Sequence, residues 1–154
     1  MKIRLYLEGN FKSIWLSRYI NSLSYKGKNF LIEKLIYSVF YFFKKCFNIH
    51  SIFFLFEALE RLKPVIGLKL HRIVKSKRKK IYAYPVIINN RIRHRKAMYW
   101  LIKSVKRRKE LSFLIKMNKE LENILFNEMT ESIRKKKEYY NHAILFKSVK
   151  KFKW

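Results

Sequence analysis

Leu16, Tyr19, Ile20 and Leu23 recur at the i, i+3, i+4, i+7 spacing of one helix face, and Lys26, Gly27 and Lys28 interrupt the pattern. The spacing predicts a first helix and its turn. Asn29 is placed to cap a second helix, in which Ile32, Leu35, Ile36, Val39 and Phe43 keep the same period as far as Lys44 and Lys45, whose charges suit a helix C-terminus. Ser51 is the expected cap of a third, with Leu55, Ala58, Leu59 and Leu62 on its inner face. Pro64 ends it, because a proline disfavours the helical region for the residue before it, Lys63.

Between Pro64 and Pro85 the helical period disappears, and Val65, Ile66, Ile73, Val74, Ile81, Tyr82 and Tyr84 predict a β-hairpin over about 65–88. Its tip, KSKRKK, lacks the Asn-Gly or Gly-Gly of a tight two-residue turn, so a longer connection is expected. From Arg93 the helical period returns, with Met98, Leu101, Ile102 and Val105 on one face and Lys96, Tyr99, Lys103 and Lys106 on another. Leu111, Leu114, Leu121 and Leu125 mark a fifth helix, with Asn118 expected as a hydrogen-bonded polar residue in its apolar stripe. Ser132 is the expected cap of a sixth helix carrying Tyr140, Ala143 and Ile144. The reading is a mainly α fold: about six helices in a bundle, with one protruding β-hairpin between the third and fourth. No repeat or Gly/Ser linker divides the chain, so residues 1–154 are expected to form a single domain.

Charge changes the picture most. Lys and Arg total 37 against 10 acidic residues, every one of them Glu, for a formal charge of +27. Such a field calls for a polyanionic partner. Arg61 to Lys109 contains 18 basic residues and no acidic one, whereas an ordinary solvated surface mixes signs. Release of counterions from a phosphate backbone is what favours binding by such a segment. A second cluster, Arg134 to Lys137, lies at the start of the sixth helix, where four cations oppose the macrodipole and a bound phosphate would relieve the conflict.

Catalytic chemistry has little to stand on. With no Asp there is no Asp-assisted triad, and His50, His71, His94 and His142 show no metal-ligand spacing. Neither an enzyme activity nor a cofactor is expected. Cys46 is alone, so no internal disulfide can form. Trp15 and Trp100 are expected in the core, and Trp154 outside it. The apolar stretches Leu35 to Phe43 and Ile52 to Phe56 fall short of the ~18 residues of a membrane span, so no membrane association is expected.

The order of these features resembles the small-subunit ribosomal protein seven family. YINSLSYKGKNFLIEKLIYSVF, with Glu33 and Tyr37, is similar to the family's first two helices and the Gly-Lys turn between them. FEALERLKP looks like the segment leading into its β-ribbon, YPV like the returning strand, AMYWLI like its Ala-Met-x-Trp helix and KFKW like its end. The start, MKIRLYLEGNFK, departs from the family's basic arm, and KSKRKK stands where the family has paired glycines.

The resemblance implies an RNA-binding constituent of the small ribosomal subunit. Such a protein binds the 3′ major domain of the small-subunit rRNA, nucleates assembly of the head and lines the exit-site tRNA and mRNA exit region, among neighbouring head and platform proteins. On that frame the expected rRNA contacts are Lys26 and Lys28 at the first turn, Arg72 on the ribbon, and Arg91, Arg93, Arg95, Lys96, Lys103 and Arg107 along the fourth helix. Arg134, Lys135, Lys136 and Lys137 are expected to add to them from the sixth. Lys75, Lys77, Arg78, Lys79 and Lys80 at the tip are expected beside tRNA and mRNA.

Phe, Ile, Asn, Lys and Tyr supply 77 residues and Ala, Gly and Pro together 9, the signature of AT-rich codons, which fits an organelle genome or a low-GC bacterium. No transit peptide is legible in the first residues, so if this is an organelle protein, synthesis inside the organelle is expected. The mitochondrial ribosome is the first choice and the plastid ribosome the second. A non-ribosomal nucleic-acid-binding module is the competing reading.

Overall fold

The structure is a computed structural model and describes residues 14–24, 26–47, 51–75, 78–126 and 128–145, with the backbone alone for residues 51, 70–75 and 78–83. Among the described residues the order is α1 (Ile14–Leu23), α2 (Asn29–Phe47), α3 (Ser51–Leu62), β1 (Ile66–Lys75), β2 (Arg78–Ile87), α4 (Asn90–Arg107), α5 (Phe113–Leu125) and α6 (Glu131–Leu145). The hairpin stands between the third and fourth helices, as the change of period predicts.

The inward stripes meet in one core. Tyr19 from α1, Phe40 and Phe43 from α2, Leu55, Leu59 and Leu62 from α3, Leu101 from α4 and Leu121 and Ile124 from α5 are all fully buried. Each buried Leu or Phe contributes about 1.5–3 kcal/mol relative to an exposed one. α4 packs on α1, α3, α5 and α6 and is the helix around which the rest is arranged. Lys26 (φ 52°) and Gly27 (φ 75°) reverse the chain between α1 and α2 in the left-handed region, where glycine is at ease and lysine is not.

The antiparallel register runs from Ile66↔Ile87 to Lys75↔Arg78, leaving only positions 76 and 77 as the connection. This corrects the expectation of a longer tip. Ten-residue strands carry the ladder to the end, and that pairing sets the loop length without a favourable turn sequence. At its other end the ribbon is tied to α6: Val65 N–H donates to Tyr140 Oη at 2.8 Å and Leu68 N–H to Tyr139 Oη at 3.1 Å. Gly67 sits in this joint, where an added Cβ would fall 2.3 Å from Ile88 Cγ2 and 3.4 Å from Tyr139 Oη. Only glycine lets the strand approach so closely.

Glu120 of α5 is 1 % exposed and joins three elements. It accepts from Ser104 Oγ of α4 at 2.5 Å, from Ser132 Oγ of α6 at 2.7 Å and from Arg108 Nη1 at 2.7 Å. Ser132 therefore does not cap α6. The cap is Thr130, whose hydroxyl accepts from Ile133 N–H at 3.3 Å, because the Ser132 hydroxyl is turned inward to the carboxylate. Asn29 is likewise the first helical residue instead of the cap, since Lys28 O accepts the first helical bond, from Ile32 N–H.

Leu111 is fully exposed and precedes α5, which starts only at Phe113, while Ile144 is exposed although Ala143 beside it on α6 is buried. Asn118 Oδ1 is buried and has no hydrogen-bond partner among the described residues. Trp100 is buried, whereas Trp15 is half-buried.

Leu101→Ala should cost about 2–5 kcal/mol through lost burial and a residual cavity. Glu120→Ala should cost a comparable ~3–5 kcal/mol, because it leaves the buried Ser104 and Ser132 hydroxyls without their acceptor and removes one of the two carboxylates on Arg108. Glu120→Gln, which keeps an acceptor for the hydroxyls, should cost less. Denaturant titration of the free chain checks the order.

Candidate nucleic-acid interface

α1 and α4 lie side by side, and between them runs a groove of about 490 Å³. α1 contributes Trp15, Arg18 and Ser22; α4 contributes Arg91, Arg95, Met98, Tyr99, Ile102 and Lys106. The α4 positions follow the helical repeat, so one stripe beside the core stripe carries them all. No carboxylate lines the groove among the described residues. Trp15 is held in place by His94, stacked at 4.0 Å between ring centroids, and by Arg18, whose guanidinium lies 4.9 Å from the indole centroid.

Other expected contacts are placed in three different ways. Lys26 and Lys28 are exposed in the turn between α1 and α2, and Arg91 and Arg95 are exposed on the groove wall. Along the ribbon, Arg72 pairs with Ile81, Lys79 with Val74, Lys80 with Ile73 and Lys75 with Arg78, whereas Lys77 lies outside the described residues.

A third set is engaged with the protein itself. Arg93 Nε donates to Pro64 O at 3.0 Å, and Lys136 Nζ donates to Arg61 O. Lys96, expected on the outer side, donates to Tyr139 Oη and lies 4.0 Å over that ring, which also meets Trp100 edge-on at 5.5 Å. Lys103 Nζ reaches Tyr99 Oη at 3.5 Å, and Lys137 Nζ reaches Met129 Sδ at 3.3 Å.

The cluster Arg134 to Lys137 meets its anion within the chain. Glu131, in the first turn of α6, pairs with Arg134 at 2.6 Å, Arg107 at 2.6 Å and Lys135 at 3.5 Å, and Arg134 lies 3.7 Å from Glu138. The macrodipole conflict is therefore relieved without an external phosphate. The hydrogen bond from Arg134 holds the Glu131 carboxyl below its usual range, while burial lowers Lys135 and Lys136.

Residues 3–145 match the family described as ribosomal protein S7p/S5e. The chain belongs to that family. It is 30 % identical over 139 residues to the small ribosomal subunit protein uS7 of Wigglesworthia glossinidia brevipalpis, covering 90 % of this chain and 86 % of that one. The uS7 proteins of Blochmanniella floridana, at 31 %, and Chlamydia pneumoniae, at 28 %, each cover 94 % of this chain and 89 % of their own. The S7p/S5e match thus spans the helices that build the groove as well as the ribbon.

Sequence reasoning passed over Arg18, Trp15 and Tyr99 as interface residues. Arg18 is an isolated cation between Ser17 and Tyr19, and a search for charge runs selects clusters. Packing of α1 on α4 is what brings it to Arg91 and Arg95.

His94 lies beneath this face, 6 % exposed, with its Nδ1 unpartnered among the described residues. Burial, then the charge of Lys63, lowers its pKa; Glu60 opposes the shift and Arg93 adds to it. A folded value below the ordinary ~6.5 means that protonation favours the unfolded chain. The stabilisation is complete above the ordinary value and is lost as pH falls from there towards the folded one. His94→Phe, which keeps a ring against Trp15, should flatten the fall in melting temperature between about pH 7 and 5. An unchanged slope would assign that fall to other groups.

Proposed function

We propose that this chain is a structural, non-catalytic constituent of the small ribosomal subunit. In this reading it binds the 3′ major domain of the small-subunit rRNA and nucleates assembly of the head. The observation that carries it is the groove of Arg18, Arg91, Arg95 and Lys106, lined by no carboxylate among the described residues, on a chain of the S7p/S5e family. The uS7 relatives carry the small-subunit assignment in their names. Arg72, Lys26 and Lys28 extend the rRNA surface beyond the groove, and the ribbon tip from Lys75 to Lys80 reaches exit-site tRNA and mRNA. We place it in the mitochondrial ribosome, with the plastid ribosome as the alternative; the AT-rich composition fits an organelle genome as it does a low-GC bacterium. Among the described residues no single helix is long and apolar enough to cross a membrane.

Affinity for an RNA containing the isolated head domain should fall with salt, log K against log salt having a slope of about −0.7 to −0.9 for each phosphate contacted. Arg91→Gln with Arg95→Gln should reduce that slope by about one unit for each phosphate no longer bound, while leaving melting unchanged. Lys96→Gln should do the opposite, lowering the melting temperature through Tyr139 with less effect on the slope. Filter binding and thermal melts on these variants check both. A tagged chain should sediment with small-subunit particles; free sedimentation in cells would contradict the ribosomal reading.

A further inference from the structure

The groove between α1 and α4 has a shape and a chemistry that phosphate binding alone does not require. A surface that follows a duplex backbone needs cations, since the bases of a duplex are stacked away from the protein. Here the cations flank aromatic rings. Tyr99 is 58 % exposed on the groove wall, and Trp15 beside it is fixed by His94 at 4.0 Å and Arg18 at 4.9 Å. Lys103 Nζ stands 5.6 Å from the Tyr99 centroid, near the outer limit of a cation–π contact, and leaves the ring accessible. The volume, about 490 Å³, lies within the ~300–1,000 Å³ range of small-ligand sites. That volume is of the order of a single nucleotide.

We propose that this groove receives one unpaired RNA nucleotide, with its base stacked on Tyr99 and the adjoining phosphates held by Arg18, Arg91, Arg95 and Lys106. Arg91 and Lys106 are about 22 Å apart along α4 with Tyr99 between them, so cations stand on both sides of the ring along the helix. Trp15, already locked, forms the rigid end of the slot. The inference rests on the reading of the chain as an rRNA binder and adds that this part of the surface selects single-stranded over paired RNA. Stacking on an aromatic ring tolerates any base, because every base has a π-face, so the selection is for exposure of the base and not for its identity.

The test uses the full chain and two probes with equal numbers of phosphates: a short single-stranded RNA carrying 2-aminopurine at its centre, and a fully paired RNA duplex. At about 0.3 M salt, where backbone contacts are weakened, the single strand should bind more tightly, and its 2-aminopurine emission should be quenched by stacking. Tyr99→Ala should weaken single-strand binding by about 5- to 100-fold and abolish the quenching, with duplex binding unchanged within about twofold. Tyr99→Phe should restore both. Because Tyr99 is exposed, melting of the variants should match that of the parent chain. If duplex and single strand bind alike and Tyr99→Ala changes neither, the nucleotide slot is overturned while RNA binding stands. If the parent chain binds neither probe nor the head-domain RNA, both readings fall together.

Discussion

A single buried carboxylate sets the relation between the last three helices. Glu120 draws Ser104 of α4, Ser132 of α6 and Arg108 of the α4–α5 connection to one point. Isolated, it would be costly to bury; with two hydroxyls and a guanidinium on its oxygens it is satisfied and fixes geometry instead. Burial opposes the Arg108 charge, yet its hydrogen bonds to Glu120 and Glu110 raise its pKa overall. Burial, and then the charge of Glu120, also push the Tyr19 phenol far up, so that this residue enters the core neutral, with its hydroxyl donating to Met117 Sδ at 3.4 Å. The junction also fixes direction. α6, held by Ser132, presents Tyr139 and Tyr140 to the base of β1, so the ribbon inherits its orientation from the same point.

The rest of the electrostatics is governed by how few carboxylates the chain has. Glu131 gathers Arg107, Arg134 and Lys135, Glu57 pairs with Arg61, Glu60 with Lys63, and Glu110 with Arg108. The exposed pair among them, Glu57 with Arg61, contributes at most about 1 kcal/mol. The larger effect of the pairs is on distribution: positive charge is offset along α6 and the α4–α5 connection, whereas among the described residues no carboxylate lines the groove where α1 meets α4. A cationic groove is therefore formed by the placement of the acids as much as by that of the bases.

The helices and the hairpin were legible because each apolar stripe has one period and meets one core; Leu16, Tyr19 and Leu23, or Leu101 and Val105, are buried where their spacing puts them. Caps were less legible, since Asn29 and Ser132 each lie just inside a helix start that Lys28 and Thr130 make, and for Ser132 a buried partner from α5 decided the matter. The tip length was misread because strand pairing, and not turn chemistry, set it. Within the candidate site, Arg91 and Arg95 were readable as part of a charge run. Lys96 was not readable as an anchor of Tyr139, because that contact joins residues 43 positions apart. Arg18 escaped for the same reason in reverse: its role depends on a neighbour supplied by another helix.

If Glu120 sets the orientation of α6 and, through it, of the ribbon, the two are coupled in their local stability. Native-state hydrogen exchange on Glu120→Gln measures this most directly. The amides of α6 and those of Val65 and Leu68 should lose protection together, by a common factor, while the amides of α2 and α3 exchange as in the parent chain. Loss of protection confined to the immediate neighbours of Glu120, with Val65 and Leu68 unchanged, would contradict the account.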